Sequence, residues 1–249
     1  MQDLINTFLY KSRNRLKWSR SKYQEVPVEI LTNLSNKQKQ RISYLNKIYQ
    51  VHFESEFNHI NALENYFLLH LLDRVKQEFN WQPQDEEFII DIGSRNFYYA
   101  SVLQKFFRPK KLKGIEIDGY RLYPNLHTRN SYAQYYINNL PHTEYEVIDF
   151  KLTKDLANII VCFYPFVTQK MSDIWDLPKN TFDPSGFFNH IKSCLMPHGW
   201  YFMVNHGEAE YKIAKNLAFN AQLKQLHYLA CLDEFFDDRM MPVISIWST

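Results

Sequence analysis

EEFIIDIGSRNFYYA at 86–100, followed by KLKGIEID at 111–118, reads as a buried strand, a tight turn, a helix, and a second buried strand ending in two acids. That order suits a nucleotide-type cofactor: the first strand delivers a carboxylate and a glycine to the mouth of a sheet, and the second brings an acid to a ribose hydroxyl. Working outward, Phe88–Ile92 is expected as strand one, 94–107 as a helix capped by Ser94 or Asn96, and 112–117 as strand two. Further strands are expected at 145–149, 157–164 and 200–205, with helices at 131–140 and 187–195. LKQLHYLACL at 223–232 and VISIWS at 243–248 read as two closing strands around a polar segment. Short buried strands alternating with helices predict an α/β fold, a three-layer, mostly parallel sheet with an antiparallel hairpin at one edge.

Upstream of the sheet the chain reads as helical. NKQKQRISYLNKIYQVHF at 36–53 carries an apolar stripe at Ile42, Leu45, Ile48 and Tyr49, and HINALENYFLLHLLDRVKQEF at 59–79 carries a longer one. Asn61 is the expected start of the second helix, and Pro83 bars its continuation. The chain therefore divides into a helical extension or lid over 1–82, packed on a Rossmann-like domain over 83–249. His59 and His70 are read as packing residues.

Bulk properties set the class. The chain has 249 residues, 45% hydrophobic and 16% aromatic, which excludes a disordered protein. No apolar run approaches the ~20 residues of a membrane span, and MQDLINTFLY lacks the basic flank of a leader, so a cytosolic protein without membrane contact is expected. Cys162, Cys194 and Cys231 are far apart and lack paired metal-ligand spacing, so reduced thiols and no metal are expected. The net charge is only +2, yet residues 1–50 hold ten basic and three acidic side chains. KSRNRLKWSRSK at 11–22 combines bases with Trp18, a composition suited to a nucleic acid or other phosphate-rich partner and equally to a solvated face.

The Asp91-Ile92-Gly93-Ser94-Arg95-Asn96 turn and the GIEID strand end resemble class I S-adenosylmethionine-dependent methyltransferases over about residues 80–249. The resemblance implies the cofactor S-adenosyl-L-methionine and a set of roles. Gly93 and Ser94 pass beneath its methionine part, and Asp91 orders the turn or reaches the amino group. Glu116, 23 residues beyond Gly93, takes the ribose hydroxyls, leaving Asp118 near the rim. Asp149 meets the adenine amino group and Phe150 covers the base. Phe163 and Tyr164, before Pro165 and Phe166, form the mouth of the acceptor pocket.

The chain departs from the family pattern where Arg95 and Phe97 stand in place of further glycines, and it lacks the Asn or Asp before a Pro-Pro-aromatic unit that amine methyltransferases use. His206 is the expected general base, with Glu208 or Glu210 to orient it and Tyr164 beside it. The acceptor is undetermined. Two other functions share these features: a non-catalytic binding or accessory protein that keeps the fold, and an NAD-dependent oxidoreductase.

Overall fold

The computed structural model describes residues 2–82, 87–230 and 241–249. Seven strands form one sheet in the order β3-β2-β1-β4-β5-β7-β6. They are β1 (Phe88–Ile92), β2 (Lys111–Glu116), β3 (Thr143–Val147), β4 (Ala157–Phe163), β5 (Leu195–Asn205), β6 (Lys224–Ala230) and β7 (Val243–Ser248). The first five run parallel, with Asp91 opposite Gly114 and Val161; β7 lies antiparallel between β5 and β6. Central strands read as unbroken apolar runs because both of their faces are covered: Ile159, Ile160, Val161 and Cys162 of β4 are all buried.

The eight α-helices of the described residues are α1 (Gln2–Leu16), α2 (Asn36–Tyr49), α3 (His59–Phe79), α4 (Ala100–Phe107), α5 (Arg129–Ile137), α6 (Gln169–Ile174), α7 (Pro184–Cys194) and α8 (Gly207–Asn220). Helices α2 to α5 share one hydrophobic cluster with Ile89, Leu112, Val161 and Phe202 of the sheet. On the opposite face α7 and α8 pack through Phe188, Ile191, Tyr211 and Ala214 on Ile90, Ile160 and Tyr201. Strands thus alternate their side chains between two layers of helix, and their carboxyl ends open on one edge.

Several local expectations are corrected. Helix α3 begins two residues before Asn61, because Asn58 is its cap and accepts from the Asn61 amide at 3.0 Å. Helix α4 begins at Ala100, and neither Ser94 nor Asn96 caps it: Arg95 and Phe97 both take left-handed backbone angles, φ +53°, which no helix tolerates. Strand β3 lies two residues earlier than 145–149, so Asp149 falls in the following turn. Strand β5 starts at Leu195, directly after α7, and absorbs MPHG with a register shift opposite β4. Helix α8 is an addition to the expected elements. Cys231 and the segment to 240 lie outside the described residues, as does the 82/83 boundary at Pro83 to Glu86.

Candidate functional site

A cavity of about 510 Å³ opens at the carboxyl edge of the sheet, a size that fits a small-molecule ligand. The turn after β1, the end of β2, the turn after β3, the end of β4 and the residue after β5 all reach it. They bring together Gly93, Glu116, Asp149, Phe150, Phe163, Tyr164 and His206. Helix α3 closes one side with Glu64 and Phe67, and the stretch from Met171 to Phe187 closes another.

Gly93 has φ +74°, and a Cβ built on it would meet no protein atom within 4 Å. The backbone at this corner of the cavity is therefore open to close approach. Arg95 and Phe97, which stand where the resemblance would place further glycines, keep a glycine-like path nonetheless, since both occupy the left-handed region. Phe97 is fully buried against Gly114, where an added Cβ would stand 2.7 Å from its ring. Arg95 turns its side chain along the cavity, with its guanidinium 5.4 Å from the Trp175 ring.

Glu116 is buried and sits at the centre of a polar cluster. Its Oε2 accepts from the Arg95 amide at 2.8 Å, and its Oε1 from the Asp118 amide at 2.8 Å and Arg129 Nη1 at 3.3 Å. A carboxylate has about four acceptor positions, so one remains open on a residue that lines the cavity. Arg129 also lies 4.7 Å over the Trp175 ring and leaves its Nε without a partner. Sequence reading missed Arg129 and Trp175, because neither lies in a motif.

Three of the residues singled out in the sequence stay out of the cavity lining. Asp91 is fully buried beneath the turn and does not line the cavity: Tyr99 donates to its Oδ2 at 2.8 Å, and its Oδ1 has no partner. Burial pushes its carboxyl up to about 7. Ser94 is also fully buried, donating to the Asp91 carbonyl at 2.8 Å, so it shapes the turn and does not reach the cavity. Asp118, expected near the rim, is 1% exposed. Arg13 of α1 grips it through two bonds of 2.6 and 2.8 Å, and Arg121 adds a third at 2.7 Å.

At the mouth, the Tyr164 and His206 rings are parallel to within 3° with centroids 3.7 Å apart. Burial lowers the imidazole pKa, with Glu210 acting in the opposite sense, so the ring is neutral near pH 7 and presents a basic nitrogen. Glu210 accepts from the His206 main-chain amide at 2.8 Å, and Glu208 accepts from the Tyr228 hydroxyl. The stacked tyrosine, in place of either glutamate, sets the plane of the imidazole. Asp149 accepts from the Lys151 amide at 3.0 Å, which fixes its turn, and Phe150 lies buried beside it against Phe187 and His190. Among the described residues no cluster of His, Cys, Asp or Glu has the make-up of a metal site.

The basic run is only partly free for a partner. Arg13 is spent on Asp118, and Lys17 lies 5.4 Å over the Tyr120 ring. No helix among the described residues is long and apolar enough to cross a membrane.

No family model matches the chain, and no curated protein matches it either. Solved structures do. The N-methyltransferase NodS from Bradyrhizobium japonicum aligns at 13% identity and a TM-score of 0.51, over 76% of this chain and 97% of that one. An S-adenosylmethionine-dependent methyltransferase from Clostridium acetobutylicum aligns at 9% identity and a TM-score of 0.50, over 86% and 99%. Together with the sheet order and its closing antiparallel hairpin, these likenesses show the fold of the chain, a Rossmann-like methyltransferase fold with an N-terminal helical extension.

Proposed function

We propose that the cavity binds S-adenosyl-L-methionine and that the protein transfers its methyl group to an acceptor admitted past Tyr164 and His206. One observation carries this reading: Gly93, Glu116 and the Asp149-Phe150 pair, drawn from three separate strand ends, line one cavity at the carboxyl edge of the sheet. Glu116 would hold the ribose hydroxyls through its remaining acceptor position, Gly93 would let the methionine part pass close to the backbone, and Asp149 with Phe150 would receive the adenine. Phe163 would wall the reacting end. When bound, the cofactor supplies an electrophilic methyl on a sulfonium, and an in-line displacement needs little more than alignment. The chain's own contribution at the mouth is then His206, which takes the proton that an amine or hydroxyl acceptor sheds, and Tyr164, which orients it.

Asp91 and Ser94 are assigned to the turn, one layer beneath the cofactor. The NAD-dependent alternative is disfavoured by the sheet: a dinucleotide fold orders its strands 3-2-1-4-5-6, whereas here an antiparallel β7 separates β5 from β6. The non-catalytic alternative has an observation in its favour, the Arg129 side chain that already neutralises Glu116.

The two are separated by incubating the protein with methyl-labelled S-adenosylmethionine and a cell extract, then fractionating into nucleic acid, protein and small molecules. Incorporation of label that disappears with Glu116→Ala supports transfer and identifies the acceptor class. Cofactor binding with no incorporation in any fraction favours the accessory role.

A further inference from the structure

Helix α1 is turned inside out. Four of its polar residues face the protein: Asp3 accepts from the Lys179 amide at 2.9 Å, Asn6 is buried, Tyr10 donates to the Ile117 carbonyl at 3.2 Å, and Arg13 binds Asp118. Spacings of three, four and three place these four on one stripe. The opposite stripe is apolar and faces water. Leu4 is 74% exposed, Phe8 69% and Leu16 74%, with Ile5 and Leu9 about half exposed and Trp18 next in line at 55%. A helix that only stabilised this fold would show the reverse arrangement.

The charges around the stripe indicate what covers it. Residues 4–24 contain no acid, and the side chains of Lys11, Arg15, Lys17, Arg20 and Lys22 are all exposed. On a helical projection Lys11 lies beside Leu4, and Arg15 lies between Leu4 and Phe8. A second copy of α1 would bring these cations against their own kind, with no acid on the face to offset them. A nucleic acid would meet the cations and leave five large apolar side chains unburied. An anionic lipid surface satisfies both, taking Leu, Ile and Phe into the acyl boundary and the bases at the headgroups.

We propose that α1 and the segment to Lys22 form a peripheral docking surface for anionic membranes. This departs from the expectation of no membrane contact while remaining consistent with the lack of a spanning helix among the described residues. Because the inner face of α1 touches Ile117, which lines the cavity, the docked bilayer would lie about one helix diameter, ~10 Å, from the candidate site. The proposal does not depend on methyl transfer.

The test is flotation of the full-length protein with vesicles of phosphatidylcholine containing phosphatidylserine, and with phosphatidylcholine alone. Binding to the first only, weakened by salt, is expected. Lys11→Glu with Arg15→Glu, and separately Leu4→Ser with Phe8→Ser, should each lower it by on the order of tenfold or more. All four side chains face outward, so thermal unfolding should be unchanged, and the conservative Phe8→Leu should retain binding. Failure to float with anionic vesicles, or floating that either pair of substitutions leaves intact, would overturn the proposal. So would a dimer in light scattering that Leu4→Ser with Phe8→Ser dissociates in the absence of vesicle binding, or a short RNA that the wild type retards in a gel while ignoring lipid.

Discussion

Asp91 is expected to order the turn or to reach the cofactor's amino group, and its burial beneath the turn agrees with the first of these roles. A strand-end carboxylate before a glycine was legible in the sequence; that Tyr99 would cover it, eight residues on, was not, because the turn between them depends on backbone angles that Arg95 and Phe97 seldom adopt. Burial raises its folded pKa to about 7 from an unfolded value of 3.8, so between these values the folded state holds more protons than the unfolded one. Stability therefore falls as pH rises from about 4 to 7 and is flat above, a loss of up to ~4 kcal/mol from this group. Asp91→Asn, which mimics the protonated acid, should remove that slope in urea unfolding at pH 5 and 8; an unchanged slope would contradict the burial argument. Gly93→Ala probes the cavity. The added methyl meets no protein atom, so the cost to folding should be only the ~1 kcal/mol of a left-handed alanine, while affinity for the cofactor should fall at least tenfold. At the mouth, His206→Ala should abolish turnover and leave cofactor binding intact.

At the scale of elements, short apolar stretches bounded by turns made β1, β2, β4 and β7 readable nearly to the residue, most plainly β4, whose burial on both faces leaves a nearly continuous apolar run. Elements held by small residues were harder to see. Helix α8 faces its core mainly with Tyr211, Ala214 and Ala218, a stripe whose spacing is regular but whose alanines carry little hydrophobic weight. The region from 94 to 99 resisted for a different reason: its conformation is fixed by contacts across the sheet, with the Gly93 and Ser94 amides both donating to the Ile115 carbonyl and Phe97 filling the space above Gly114. Gly114→Ala should accordingly overpack this joint, 2.7 Å from the Phe97 ring and 2.9 Å from Ser94 Oγ. A loss of ~1–3 kcal/mol in thermal or urea unfolding is expected, with cofactor affinity falling alongside because the turn moves; wild-type stability would show that the joint is slack.

Across the whole molecule, the carboxyl edge of the sheet and the N-terminal segment are joined by polar contacts whose partners lie far apart in sequence. Arg13 reaches Asp118, and Glu25 accepts from Tyr136 at 2.5 Å and from both Asn58 and Asn61. Long-range pairs of this kind leave no local trace, which is why Asp118 was expected at the rim and the basic run was read as a free surface. We infer that residues 1–82 act as a cap on 83–249 and not as a module of their own. A fragment beginning at residue 83 should then aggregate or fail to give a cooperative unfolding transition, since it would expose the face that α2 and α3 cover on Phe106 and Phe107; a stable, monomeric fragment would refute the inference.

The most direct test of the central claim is calorimetric titration of the intact protein with S-adenosylmethionine, beside NAD, in the wild type and in Glu116→Ala. Micromolar binding of the sulfonium cofactor, weakened by at least tenfold in the variant and absent for NAD, is the predicted result. Failure of the wild type to bind S-adenosylmethionine would contradict the assignment of the cavity and leave Arg129 as the permanent partner of Glu116.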